Sequence, residues 1–147
     1  MSRLRTVSSN RFEDLLEAAP GALEADTEMR RQLMENLTPR LYSLIGVAVA
    51  GCLRCEGFVE ALRGPLEQSF AFQAARDWRV LELPAAEKAI LAYAEKGTID
   101  EASVRRRDVD ELHAAGLMDR DILSIATAIA YHNYSIRMAA AFDVAPR

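Results

Sequence analysis

The sequence predicts an all-α protein, a single-domain helical bundle of about seven helices covering residues 1–147. Three observations lead there. Glycine (7) and proline (5) are sparse in the 147 residues, while alanine and leucine abound, which favours helix over strand. Apolar residues return at three- and four-residue spacing along most of the chain, and no alternating run is long enough for a strand. Helix start and stop residues punctuate the pattern from end to end. The chain is half hydrophobic, enough for one domain with a true core and too short for two. No repeat, low-complexity tract or Gly/Ser linker marks a boundary.

The elements follow in order. Ser9 or Asn10 can cap a short helix through Phe12, Leu15 and Leu16, ending before Pro20-Gly21. Thr27 precedes Glu28-Met29-Arg30, and a second helix is expected from there to Asn36, with Leu33 and Met34 on one face. Thr38-Pro39 pairs an N-cap residue with proline at the first helical position. The helix it opens carries Leu41, Leu44, Ile45, Ala48 and Val49 and is apolar nearly all round, so it belongs in the core. Gly51 is expected to break it, with Cys52 opening the next segment, 52–63, which packs through Phe58, Val59 and Leu62 and stops at Gly64-Pro65. A helix over 66–77 and a connector over 78–83 follow. Pro84 opens a helix over 85–96, which Gly97 terminates. A short helix over 108–115 is closed by Gly116. Asp119 then caps a long final helix containing Ile122, Ile125, Ile129 and Ile136. That helix is apolar on more than one face, and self-association is the simplest way to cover it.

Composition excludes several function classes. The net charge is −4, and the one basic cluster, Arg105-Arg106-Arg107, reads as a solvated helix end, so no nucleic-acid partner is expected. The longest apolar run, 41–53, is interrupted by Ser43, Gly46 and Gly51 and falls short of the ~20 residues of a membrane span. No apolar stretch follows Met1-Ser2-Arg3-Leu4-Arg5, so no secretory signal is expected and the protein is placed in the cytoplasm. In that reducing compartment, two cysteines point to redox activity rather than to a permanent staple.

The chemistry rests on Cys52-Leu53-Arg54-Cys55. Three-residue spacing puts the two sulfurs within bonding reach across a helical turn. At the start of a helix the free backbone N–H groups would stabilise a thiolate, and Arg54 adds positive charge. Such a thiolate attacks a peroxide or a disulfide, and the second cysteine resolves the product. Two buried cysteines acting as small hydrophobes are the alternative. A structural zinc site wants four ligands, and His113 and His132 lie far downstream, so neither a metal nor another cofactor is expected.

Gly51-Cys52-Leu53-Arg54-Cys55 after a buried apolar helix resembles the alkylhydroperoxidase D / carboxymuconolactone decarboxylase family. The segment Leu83-Pro84-Ala85-Ala86-Glu87-Lys88-Ala89-Ile90-Leu91-Ala92-Tyr93-Ala94-Glu95-Lys96 is similar to a characteristic helix of its peroxidase-related branch. So are Asp108-Val109-Asp110-Glu111-Leu112 with Ala115-Gly116-Leu117, and the ending Tyr131-His132-Asn133-Tyr134-Ser135-Ile136-Arg137. The resemblance implies an all-helical subunit that forms homo-oligomers, often trimers or hexamers. It also implies thiol-dependent peroxide reduction, an antioxidant activity fed by a thioredoxin-like or lipoyl-protein reductant. In the family's scheme Cys55 attacks the peroxide and Cys52 resolves it as a disulfide, while a histidine and a glutamate relay protons. This chain has Val59 where the histidine would fall, and either Ser43 or Arg40 where the glutamate would fall. Glu56, Glu60 and His132 remain as substitutes for the relay. Two other readings stand beside peroxide reduction: a redox-sensing or binding protein that has lost the relay, and a decarboxylase-type enzyme acting on a small lactone.

Overall fold

Helix α3 (Pro39–Cys52) is the element around which the rest is assembled. Thr38 caps it as expected, its hydroxyl accepting a hydrogen bond from the Leu41 backbone N–H at 3.1 Å, with Pro39 at the first helical position. Residues 42–50 are all buried, so the helix runs through the core with no solvent face along that stretch. A computed structural model describes residues 11–147 of the chain. Within them lie α1 (Phe12–Leu16), α2 (Ala22–Asn36), α3, α4 (Val59–Leu62), α5 (Gln68–Asp77), α6 (Ala85–Ile99), α7 (Arg106–Ala114) and α8 (Asp119–Phe142). Short 3-10 turns at Glu56–Phe58, Trp78–Val80 and Glu101–Ser103 link them. The described residues contain no strand, only an isolated bridge between Arg11 and Ala145. The all-α expectation holds, with eight α-helices.

Helices α5, α6 and α8 pack around α3. Their inward residues, among them Ala71, Ala74, Ile90, Leu91, Ile125, Ala128 and Ile136, complete one large apolar cluster. A second, smaller cluster joins Phe12, Leu15 and Leu16 of α1 to Ala139 and Val144 near the end of the chain. There Arg147 bridges Asp26 at 2.6 Å and Glu13 at 3.2 Å.

Several boundaries differ from expectation; α5 begins at Gln68 rather than Leu66, and α7 spans Arg106–Ala114 rather than 108–115. Helix α2 begins at Ala22 rather than near Thr27, because Gly21 turns the chain with φ +80° and releases the helix a full turn earlier. Helix α6 runs past Gly97 to Ile99. Met118, not Asp119, is the N-cap of α8, and its N–H donates to the Asp121 carboxylate at 2.9 Å. Most consequentially, α3 continues through Gly51 and ends on Cys52. The expected Ser9 or Asn10 cap lies outside the described residues; Arg11 holds the cap position of α1, without a side-chain bond.

Candidate functional site

The two cysteines sit at the end of a helix, not at its start. Cys52 is the last residue of α3, Leu53 its C-cap, and Arg54 turns into the left-handed region with φ +59°. The Cys55 N–H then reaches the Ala50 carbonyl at 2.8 Å, and the Arg54 N–H reaches the Gly51 carbonyl at 3.1 Å. This pair of bonds is a Schellman ending, with arginine where glycine is usual. Cys55 follows in an irregular conformation and caps the turn Glu56–Phe58. The sign of the local field is therefore the reverse of the sequence expectation. A helix C-terminus carries partial negative charge and disfavours a thiolate.

The surroundings act in the same direction. Burial, then the Glu95 carboxylate, push the Cys52 thiol up to about 11, with Arg79 opposing in part. Burial, then Glu56, also raise Cys55, with Arg137 opposing. The Cys55 thiol lies 3.5 Å from the Leu53 carbonyl oxygen and donates to it. Both thiols are free and partly exposed.

Cys52 opens on a cavity of about 440 Å³ whose wall includes Arg54, Asp77, Trp78, Arg79 and Glu95. Helix α6 brings in Glu95, and the 3-10 turn after α5 brings in Trp78 and Arg79. The Arg79 guanidinium grips Glu95 through two nitrogens, one at 3.0 Å, and lies over the Trp78 ring 4.3 Å from its centroid. That grip holds the Glu95 carboxyl below the usual carboxylate range. The floor comes from close approach: a Cβ on Gly51 would sit 1.9 Å from the Ala75 carbonyl oxygen, so only glycine lets α3 and α5 meet there.

Of the expected relay residues, Glu56 lies beside a thiol, whereas His132 and Glu60 are engaged elsewhere. His132 is 1% exposed, and its Nε2 lies 3.0 Å from the Tyr42 carbonyl oxygen, to which it donates. Its ring lies against Gly46, where an added Cβ would be 2.8 Å from Cε1. Gly46 precedes Cys52 by six residues, about 9 Å of helix rise. Burial pushes the His132 imidazole down to about 4, so it is neutral at ordinary pH. Glu60 is exposed and held by Arg63 at 2.9 Å and Gln68 at 3.3 Å. Glu56 stays beside Cys55, where its charge opposes the thiolate. Val59 is fully buried in the core. Ser43 is buried beneath Gly64, and Arg40 pairs with Glu87 at 2.9 Å. Sequence reasoning missed Trp78, Arg79 and Glu95 as neighbours of Cys52. Glu95 stands within the family-like segment 83–96, but only the packing of α6 on α3 reveals what it faces.

Two solved structures share this fold. An uncharacterized peroxidase-related protein from Silicibacter sp. TM1040 superposes with a TM-score of 0.72 at 26% identity, over 91% of this chain and 76% of that one. The alkylhydroperoxidase AhpD core of an uncharacterized peroxidase-related protein from Ralstonia eutropha JMP134 gives 0.76 at 26% identity, over 90% and 74%. The chain has an alkylhydroperoxidase D-like fold. No protein-family model matches the sequence, and no curated protein does. Among the described residues of this alkylhydroperoxidase D-like chain, no helix is long and apolar enough to cross a membrane.

Proposed function

We propose that this chain is a thiol-dependent oxidoreductase that reduces peroxides through Cys55 and Cys52. One observation carries the reading: two free thiols flank a single tight turn in an alkylhydroperoxidase D-like fold, and one opens on a charged cavity. Cys55 is the nucleophile, being less enclosed than Cys52 and facing the opposing charge of Arg137. Its thiolate attacks one peroxide oxygen. An S–O bond forms, the O–O bond breaks, and the departing alkoxide takes up a proton as alcohol. Cys52 then attacks the sulfenic sulfur; an S–S bond forms and the S–O bond breaks, releasing water. Two electrons from a thioredoxin-like or lipoyl-protein dithiol restore the thiols. The whole chain acts as one domain in a cytoplasmic homo-oligomer, trimer or hexamer. Exposed apolar residues on or beside α8, Met118 and Leu123 among them, supply the surface for assembly.

Thiols raised by burial and by acidic neighbours react slowly at neutral pH, because the thiolate is the reacting form. This favours a second reading, a redox-sensing or binding protein that forms the disulfide but does not turn over. One experiment separates the two. Reduced protein is treated with one equivalent of peroxide, thiols are counted, and turnover is followed with a dithiol reductant between pH 7 and 10. Loss of both thiols, with turnover rising steeply with pH and abolished by Cys55→Ser, supports the peroxidase. Disulfide formation without turnover above free thiol supports the sensor. Unchanged thiols sink both.

A further inference from the structure

The cavity beside Cys52 carries a positive charge in excess. Three arginines, Arg54, Arg76 and Arg79, line it with two carboxylates, Asp77 and Glu95. Arg79 is paired with Glu95, and Asp77 accepts the Arg79 backbone N–H at 3.1 Å. Arg54 and Arg76 are both exposed, and neither forms an ion pair among the described residues. Cys52 supplies the only sulfur of the wall; Cys55 is not part of it. The volume, about 440 Å³, falls within the range of about 300–1,000 Å³ usual for small-molecule sites. A guest here therefore meets one half-buried sulfur and two guanidinium groups whose forks match carboxylates.

We propose that this cavity binds a small thiol bearing two carboxylates, which Arg54 and Arg76 hold while its sulfur attacks Cys52 Sγ of the Cys52–Cys55 disulfide. The inference rests on the disulfide of the cycle proposed above and gives that cycle a direct source of electrons beside a protein dithiol. The guest thiolate forms an S–S bond to Cys52; the Cys52–Cys55 bond breaks, and Cys55 leaves as a thiolate that takes up a proton. A second thiolate attacks the sulfur of the first guest. The guest disulfide departs, and Cys52 leaves as a thiolate and is protonated. Two thiols are oxidised to one disulfide, and the protein gains two electrons and two protons. The order follows from access, since only Cys52 faces the cavity. It also agrees with leaving ability: Cys55 is the less enclosed thiol and has Arg137 opposing its rise, and the more acidic thiol leaves faster.

The test starts from the full chain oxidised with diamide rather than with peroxide, so a failure to reduce peroxide leaves it standing. Mercaptosuccinate, with two carboxylates, is compared with 1-thioglycerol, a neutral thiol of similar size. Each rate is taken per thiolate and divided by the rate of the same thiol on a small neutral disulfide. Mercaptosuccinate is expected to show saturation and an advantage of at least about tenfold, shrinking as salt is raised. Arg54→Asn and Arg76→Gln should each remove part of that advantage and leave 1-thioglycerol unchanged; asparagine tolerates the left-handed backbone at 54. With the thiol in excess, an acid quench followed by mass mapping should find the adduct on Cys52. Equal normalised rates for the two thiols, an advantage indifferent to salt, an advantage that survives both arginine variants, or an adduct on Cys55 would each overturn the proposal while leaving the peroxidase reading intact. A pair that diamide cannot oxidise would overturn both.

Discussion

Helix α3 meets its neighbours through a glycine at two places. At Gly46 the neighbour is the His132 ring, and at Gly51 it is the Ala75 backbone. Around Gly46 the surroundings are sealed, the titratable group is fully buried, and its proton is lost to desolvation. Around Gly51 they are half open, and five charged side chains, Arg54, Arg76, Asp77, Arg79 and Glu95, share a cavity with a thiol. The same device, a missing Cβ, serves a packed interior in one place and a half-open, charged edge in the other. The contrast shows that a histidine on an apolar helix is core here, and that the polar groups able to tune the thiols come from other helices.

The largest expected effect strikes the second place. Gly51→Ala drives a methyl into a carbonyl that cannot move without shifting α5, and should destabilise by about 3 kcal/mol or more, read as a collapse of the urea midpoint. Acid attacks the first place. The folded chain refuses a proton at His132 until about pH 4, whereas the unfolded chain accepts one near 6.5. Stability is then full above 6.5 and falls as pH drops toward 4, by about 3 kcal/mol over the window. Denaturant curves at pH 7, 6, 5 and 4.5 measure the slope, and a flat profile would mean that the imidazole is reached by water. Gly46→Ala should cost less than Gly51→Ala, about 1–3 kcal/mol, because a side chain can yield where a backbone cannot, and the gain in helix propensity offsets part of it. The smallest effect is a gain. Arg54→Gly removes a left-handed arginine from the Schellman ending and should stabilise by about 0.5–1 kcal/mol, seen as a raised urea midpoint; a loss would show that the arginine side chain anchors the turn.

Much of the fold was legible in the sequence because local signals agreed with it. Thr38-Pro39 opens α3, Gly116 closes the α7 segment with φ +96°, and the apolar period of α8 survives into the structure. The end of α3 was not legible. Glycine reads as a breaker because of its propensity, about 1 kcal/mol per residue, yet at Gly51 close packing against Ala75 overrides that cost and carries the helix one residue further. That single residue moves Cys52 from the positive end of a helix to the negative end and reverses the expected direction of its acidity. The cysteines themselves were visible from their spacing. Arg79 and Glu95 were not, since they stand 27 and 43 positions after Cys52 and meet it only through tertiary packing.

The bridge between Arg11 and Ala145, together with the ion pairs of Arg147 to Glu13 and Asp26, brings the two ends of the described chain side by side. In effect the described residues close on themselves like a ring with one open seam. Closing that seam joins segments about 130 residues apart, a contact of high loop entropy. It is held by a five-residue helix and a small apolar cluster. Amides of α1 should therefore exchange with solvent by local opening long before those of α3.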